Sequence, residues 1–486
     1  MKPCLHHPPH SPALSSAGLT RREMLRCASN GFGALALSCL LGPNTLRAEP
    51  KRSPHPPHPP HFAPRARSVI FLFMEGAVSH VDSFDYKPML ETHHGQDPRQ
   101  AIGRLEKTQF DNIGKVLRSP WTFSQHGQSG LWASDLFPHM VRQADDLCVI
   151  RSMTSRFPEH TSANYYLHSG LGLQGRPSMG AWVAYGLGSE NDSLPAYVVL
   201  NGGLIPPGGL DNFSSGFLPA NFQGSLINAQ GVPMANVEPL EKDPSLQLTK
   251  RHLVERLNRI HLETSAHDVA LEAAIFNYEL AARMQVAVPE LLDLRGESEA
   301  TRRLYGFDAD FEHTRIYARE CLLARRLVER GVRFVELTIP NIPGCDRWDA
   351  HSGLTNNHGK NALAVDQPIA ALLQDLKGRG LLDETLVVWA GEFGRTPFAQ
   401  GSDGRDHNEY AFSLWMAGGG IRGGMTYGAT DDWGYKVAEN PLEIHDLHAT
   451  MLHLLGVDHT RLTYRFGGRD IRLTDVHGNV LHPILA

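Results

Sequence analysis

Cysteine is scarce in this chain of 486 residues: there are six, and Cys4, Cys27 and Cys39 fall within the first forty positions. Cys148, Cys321 and Cys345 remain for the body, which excludes a disulfide-built scaffold. Positive charge is short as well. Lys and Arg number 46 against 52 Asp and Glu, a net charge of −6, so no surplus of cations is available to neutralise a phosphate backbone, and a general nucleic-acid binder is excluded. There is no internal repeat and no Gly-X-Ser-X-Gly elbow, which removes a Ser-His-Asp hydrolase. Gly418-Gly-Gly420 lacks the Lys and the strand-loop-helix setting of a phosphate-binding loop and reads as a turn. What is present, 41% hydrophobic and 20% charged residues, suffices for a large core and is too apolar for a disordered chain. One main domain with insertions is the expectation.

Thr20-Arg21-Arg22-Glu23-Met24-Leu25-Arg26 precedes a weakly apolar run from Ala28 to Gly42. The order of these segments reads as a twin-arginine export signal. The run is shorter than the ~20 apolar residues of a spanning helix, so residues 1–48 are expected to be a cleaved leader, with the twin-arginine translocase as a partner during export and an extracytoplasmic or periplasmic destination. Its removal takes the net charge from −6 to −10. Ser53-Pro-His-Pro-Pro-His-Pro-Pro-His61 then reads as an extended polyproline tether within a linker at 49–66.

The body, 67–486, opens with Ser68-Val-Ile-Phe-Leu-Phe-Met74, a continuous β-prone run expected of a strand buried on both faces. Similar runs lie at Arg333–Ile339, Thr385–Ala390 and Phe412–Ala417, and helical patterns precede the first two at Ile316–Arg330 and Asp366–Arg379. Helix followed by strand, repeated, predicts a mostly parallel α/β sheet with helices on both faces. About 202–300 forms an insertion: a Gly/Pro-rich loop from Gly202 to Asn228, then a long helical stretch from Leu248 to Leu294.

Ligands of open α/β sheets sit beyond the carboxyl ends of strands, and here those ends are rich in acids and histidines. Glu75, Ser79, His80, Asp82 and Asp85 follow the first strand; Cys345-Asp346-Arg347-Trp348-Asp349-Ala-His351 and His358 follow the second; Glu392 and Arg395 follow Trp389-Ala390, with Arg405-Asp406-His407 close behind. Four such clusters around one crevice are a metal-site constellation, with O and N donors suited to zinc, manganese, calcium or magnesium. Each alone reads more plainly as a cap, a turn or a hydrogen-bonded structural residue.

Ser79-His80-Val-Asp82-Ser-Phe-Asp85-Tyr-Lys87-Pro88, Trp348-Asp349-Ala-His351, Glu392-Phe393-Gly394-Arg395-Thr396-Pro397, Gly404-Arg405-Asp406-His407 and the tail His445-Asp446-Leu447-His448 through Gly467-Gly468 resemble the exported bacterial family of unknown function numbered 1501, grouped with the alkaline phosphatase and sulfatase superfamily. The resemblance implies a three-layer α/β/α sandwich with a di-metal site at the carboxyl edge of the sheet, holding one or two divalent ions, and in-line attack on an ester there by Ser or Thr. Carried over position by position, it makes Asp82 (or Asp85 or Glu75), Asp349, His351, Glu392, Asp406 and His407 metal ligands, with Phe393 where a His ligand is expected. Alignment on Ser169-Gly170 puts His160 at the nucleophile position, with Thr161 and Ser162 one and two places beyond; either hydroxyl is also a plain helix cap. Arg395 and Arg405 would clamp an anionic substrate or orient a ligand. None of the body cysteines has the Cys-X-Pro-X-Arg setting of cysteine-type sulfatases. The implied activity is metal-dependent hydrolysis of phosphate or sulfate esters, with an anionic ester or glycan as substrate. The alternative is a non-catalytic, metal-containing binding or assembly protein on the same fold.

Overall fold

The computed structural model describes residues 57–486 apart from 111, 240 and 265–267. The expected leader at 1–48 and the start of the linker lie outside the described residues. Nine strands form the central sheet: β1 (Ser68–Phe73), β2 (Leu147–Thr154), β3 (Tyr197–Asn201), β4 (Ser225–Asn228), β5 (Phe334–Leu337), β6 (Thr385–Ala390), β7 (Phe412–Ala417), β8 (Met425–Tyr427) and β9 (Leu442–Glu443). Their order is β8-β2-β7-β6-β1-β5-β3-β4, with β9 also on β2. All pairings are parallel except those of β7, which runs antiparallel to both β2 and β6. The sheet is therefore mixed, and mostly parallel as its helix-strand alternation predicts.

The longer helices on the sheet and in the insertion are α1 (His160–Ser169), α2 (Met179–Leu187), α3 (Pro244–Thr264), α4 (Val269–Leu292), α5 (Glu312–Glu329), α6 (Leu354–Gly378) and α7 (Ile444–Leu454). Alternate residues of β1 serve opposite cores, as the two-residue period of a strand dictates. Ile70 and Leu72 join Leu323 and Leu327 of α5 and Leu372 and Leu376 of α6, whereas Val69, Phe71 and Phe73 join Leu167 of α1, Trp182 of α2 and Met451 of α7. This is a three-layer α/β/α sandwich, and every residue of β1 is buried because both faces are covered.

The helix expected from Asp366 begins twelve residues earlier, at Leu354, and runs through Pro368. Asp366 is buried in its middle and accepts the backbone N–H groups of His139 and Met140, both at 2.7 Å, at the start of the short helical stretch Met140–Asp146. Those are donors that a helix start leaves without an internal partner. The long helical stretch at 248–294 is a hairpin of α3 and α4. Six side chains of α4 are buried, but in α3 only Asn258. Among the described residues no helix is long and apolar enough to cross a membrane.

Two features set α1 in place. The Gly/Pro-rich loop lies against it, with Asn164 Nδ2 donating to Pro207 O (3.1 Å) and Tyr165 OH to Gly208 O (2.9 Å). From the sheet, Glu336 of β5 accepts from Tyr197 OH (2.6 Å) and from His168 Nε2 (2.7 Å). Burial alone would lower the His168 pKa; the Glu336 carboxylate outweighs it and raises it. A smaller antiparallel sheet, in the order Gly404–Asn408, Gly394–Gln400, Ile113–Val116, stands beyond the end of β6.

Candidate metal centre

Three chain segments converge past the carboxyl ends of β1, β5 and β6, and glycines allow their close approach. At Gly76, with φ +95°, an added Cβ would lie 2.7–2.8 Å from Arg347 Cβ and the backbone nitrogens of Trp348 and Asp349. A side chain there would push Asp349 away from the sheet edge. Gly404 similarly lets the small sheet touch the backbone of His351.

His160 is the first residue of α1. The Glu159 side chain caps this helix by accepting the N–H of Thr161 (2.8 Å) and Ser162 (3.0 Å), and the Thr161 hydroxyl also bonds to it. His160 thus projects into the crevice, its Nδ1 2.5 Å from Glu392 Oε1 and its Nε2 3.2 Å from Asp349 Oδ2. Glu392 Oε1 also accepts the Gly76 N–H at 3.0 Å. His407 donates from Nδ1 to Pro158 O at 2.6 Å and turns Nε2 to Asp349 Oδ1 at 3.2 Å. His351 follows the same pattern, with Nδ1 on Gln400 Oε1 and Nε2 3.0 Å from Asp349 Oδ1. Arg395 donates to the same oxygen from Nη2 at 2.6 Å.

The electrostatics separate His160 from His407. Burial would lower the His160 pKa, but hydrogen bonds to Asp349 and Glu392 raise it to about 9. Burial and the neighbouring Arg395 push His407 down to about 3, leaving it neutral. With its one proton on Nδ1, facing Pro158 O, neutral His407 presents a lone pair at Nε2 to an anionic carboxylate oxygen. Two acceptors facing each other at 3.2 Å call for a cation between them. Burial pulls upward on Asp349; Arg395 and the three imidazoles override it and hold the carboxyl well below the usual range.

His160, Asp349 and His407 have ligand atoms within 4.8 Å of one another, the one such group among the described residues. The donor set fits a divalent metal. Two imidazoles and a carboxylate converge, and each imidazole spends its other nitrogen on an oxygen outside the cluster, as metal-ligating histidines do. Glu392 Oε2 is buried without a hydrogen-bond partner, and a cation held by His160 would displace the proton that its Nε2 shares with Asp349.

The remaining candidates are placed elsewhere. Asp82 and Arg405 are both fully buried and pair with each other, Oδ2 to Nε at 2.6 Å and Oδ1 to Nη2 at 3.0 Å. Their mutual engagement withholds Asp82 from the cluster and Arg405 from a substrate. Asp85 is bound by Lys87 (3.1 Å) and Thr430, and Glu75 by Arg347. Burial pushes Glu75 up to about 7 against the pull of Arg347. Asp406 accepts its neighbour's backbone N–H, His407 N, at 2.8 Å and is not among the converging ligand atoms. Glu392 reaches the cluster through His160. Arg395 is fully buried and donates also to Ala77 O (3.2 Å) and Gly76 O (2.5 Å), so it orients Asp349 and is not open to a substrate. Phe393 packs its ring on His160 (4.9 Å) and His407 (4.6 Å). Thr161 and Ser162 give their backbone N–H groups to Glu159, and the helix start puts His160, not a hydroxyl, between Asp349 and Glu392. His358 Nε2 accepts the Ser79 N–H (3.1 Å), while His445 and His448 bond to Gly170 O (2.9 Å) and Leu167 O (2.8 Å) and tie α7 to the end of α1. Pro158, Gln400 and Phe110 were missed: a carbonyl, an amide in a strand and an exposed ring carry no metal-ligand signal in sequence.

Fold and site together define a three-layer α/β/α protein with a His/Asp cluster at the carboxyl edge of its sheet. The chain belongs to the family described as "Protein of unknown function (DUF1501)", which it matches over residues 66–485. No curated protein matches it in sequence. Among solved structures it is similar to a phosphonate monoester hydrolase from Silicibacter pomeroyi (12% identity, 86% of this chain and 76% of that one, TM-score 0.37). It is also similar to the PsFucS1 sulfatase from Pseudoalteromonas sp. (12%, 81% and 68%, TM-score 0.34). The third is the alkaline phosphatase of the Antarctic bacterium TAB5 (9%, 81% and 98%, TM-score 0.33).

Proposed function

We propose that this chain is an exported, metal-dependent hydrolase of phosphate or sulfate esters whose cation is held by His160, Asp349 and His407. The observation that carries the proposal is the neutral His407 Nε2 facing the Asp349 carboxylate at 3.2 Å. Nitrogen donors favour zinc or manganese over calcium or magnesium, which prefer oxygen. A bound cation supplies Lewis-acid stabilisation of the charge that develops on an ester's oxygens. Glu392 and Pro158 fix the imidazole tautomers, Arg395 fixes Asp349, and Phe393 shields one side of both rings from water. Thr161 and Ser162 stand in the first turn of α1, where the helix dipole favours an anion. Attack by one of these hydroxyls would form a new ester bond to phosphorus or sulfur and release the alcohol, with Glu159 beside Thr161 to take the hydroxyl proton. Water would then free the acid.

A second reading, a metal-holding protein that binds an anion without turnover, is favoured by the place of His160, which fills the first position of the helix where a nucleophile would stand. The deciding experiment measures metal content, thermal stability with and without chelator, and turnover of aryl phosphate, phosphodiester and sulfate esters on one preparation. The hydrolase requires about one equivalent of metal, a chelator-induced drop in Tm, and turnover abolished by Thr161→Ala or Ser162→Ala. Bound metal with no turnover of any ester selects the binding protein, and absence of metal overturns both.

A further inference from the structure

Between Arg99 and Arg118 the charge balance of the chain reverses. Five cations, Arg99, Arg104, Lys107, Lys115 and Arg118, stand there against Glu106 and Asp111, in a chain of net charge −6. Arg99, Arg104 and Lys107 are exposed and line a shallow, open cavity of about 680 Å³ together with Leu105 and Ile113. None of the three makes an ion pair with a described residue. Glu106, the acid in the lining, is already tied to Lys436 Nζ at 2.5 Å. The cavity is therefore a wet concavity with three uncommitted cations, a surface that concentrates anions.

The same stretch reaches the metal centre. Thr108 lies against the Asp406 carboxylate. Phe110, 42% exposed, sets its ring edge-on to His351 with centroids 5.2 Å apart, and 6.3 Å from His407. Ile113, at the cavity, pairs in register with Gln400, whose side chain accepts from His351. The small sheet thus carries one residue of each, Ile113 of the cavity and His407 of the cluster, and Phe110 lies in the chain between Lys107 and Ile113 with its ring against His351 and His407.

We propose that this cavity is a second anion subsite, and that the substrate is an oligomeric or polymeric glycan bearing repeated sulfate or phosphate esters. One ester sits at the His/Asp cluster, the sugar chain passes Phe110, and a neighbouring anionic group meets Arg99, Arg104 and Lys107. The placing of the scissile ester rests on the hydrolase reading; the anion subsite itself does not. Arginine forks suit planar or tetrahedral oxyanions, and an aromatic face suits the apolar face of a sugar ring.

The test uses the full chain and an Arg99→Gln/Arg104→Gln/Lys107→Gln variant, whose exposed positions leave the core untouched and whose urea midpoint is checked against wild type. Affinities for a sulfated hexasaccharide, a phosphorylated hexasaccharide and a single-stranded oligonucleotide are measured by calorimetry at low and high salt. The variant is expected to bind one or both hexasaccharides about tenfold more weakly, with a shallower salt dependence; whichever sugar responds names the ester. Equal affinity of variant and wild type for both sugars, no binding of either by wild type, or tighter binding of the oligonucleotide overturns the proposal. Aryl ester turnover reports on the cluster separately. Binding of the sugars without turnover removes the hydrolase and keeps the subsite, and turnover with unchanged affinities does the reverse.

Discussion

Asp349 is the one side chain that all three imidazoles and Arg395 address. Asp349→Asn removes the anion and swaps one acceptor for a donor while keeping the shape, so it should weaken zinc binding at least about a hundredfold. Equilibrium dialysis against zinc, with circular dichroism to show an intact fold, is the check. Asp82 and Arg405 make a different prediction because their pair is sealed. Arg405→Met strands a buried carboxylate and should cost about 3–5 kcal/mol in urea unfolding, whereas Asp82→Leu/Arg405→Met together should recover most of it. Burial raises the Asp82 pKa, but Arg405 outweighs this and lowers it. The stability that depends on this charge is complete above the unfolded value of about 4 and drains away as pH falls through the lower folded value. The same two residues show where sequence runs out. Asp82 and Asp349 both follow apolar strands and carry the same carboxylate. Only the three-dimensional partner, a guanidinium for one and three imidazoles for the other, separates an ion pair from a ligand.

At the scale of elements, the strands at 68, 334, 385 and 412 were legible because continuous apolar runs have few alternatives in a covered sheet. The early start of α6 was not. Leu354 to Val365 includes Asn356, Asn357, His358, Lys360 and Asn361, which blur the apolar stripe, and Pro368 reads as a helix beginning when it lies inside one. Asp366 joins this helix to the stretch at 140–146, and Asp366→Ala leaves the buried Met140 N–H and the half-buried His139 N–H without acceptors. The expected loss is about 2–4 kcal/mol. Burial pushes the Asp366 pKa up to about 7. Between about 4 and 7 the native state therefore binds more protons here than the unfolded state, and stability declines as pH rises through that window. The margin of wild type over Asp366→Asn should narrow from pH 4.5 to pH 7.5 in urea titrations; a constant margin would refute the assignment.

For the whole molecule, stability is expected to be unevenly spread. The sheet is enclosed on both faces, but α3 buries one side chain along its 21 residues. Amide exchange should therefore be orders of magnitude faster in α3 than in β1 or β6, as mass spectrometry of peptic fragments would show. Position in the sheet has a temporal consequence too. β1 is the first strand to be synthesised among the described residues, yet its neighbours are β5 and β6, with Val69 opposite Phe334 and Leu386. A nascent chain must therefore leave this strand without lateral partners until β5 ends at Leu337, about seven-tenths of the way along the 486 residues. Closure of such distant pairings is slow and exposes apolar surface meanwhile. A protein assembled in this order completes its core only near the end of translation.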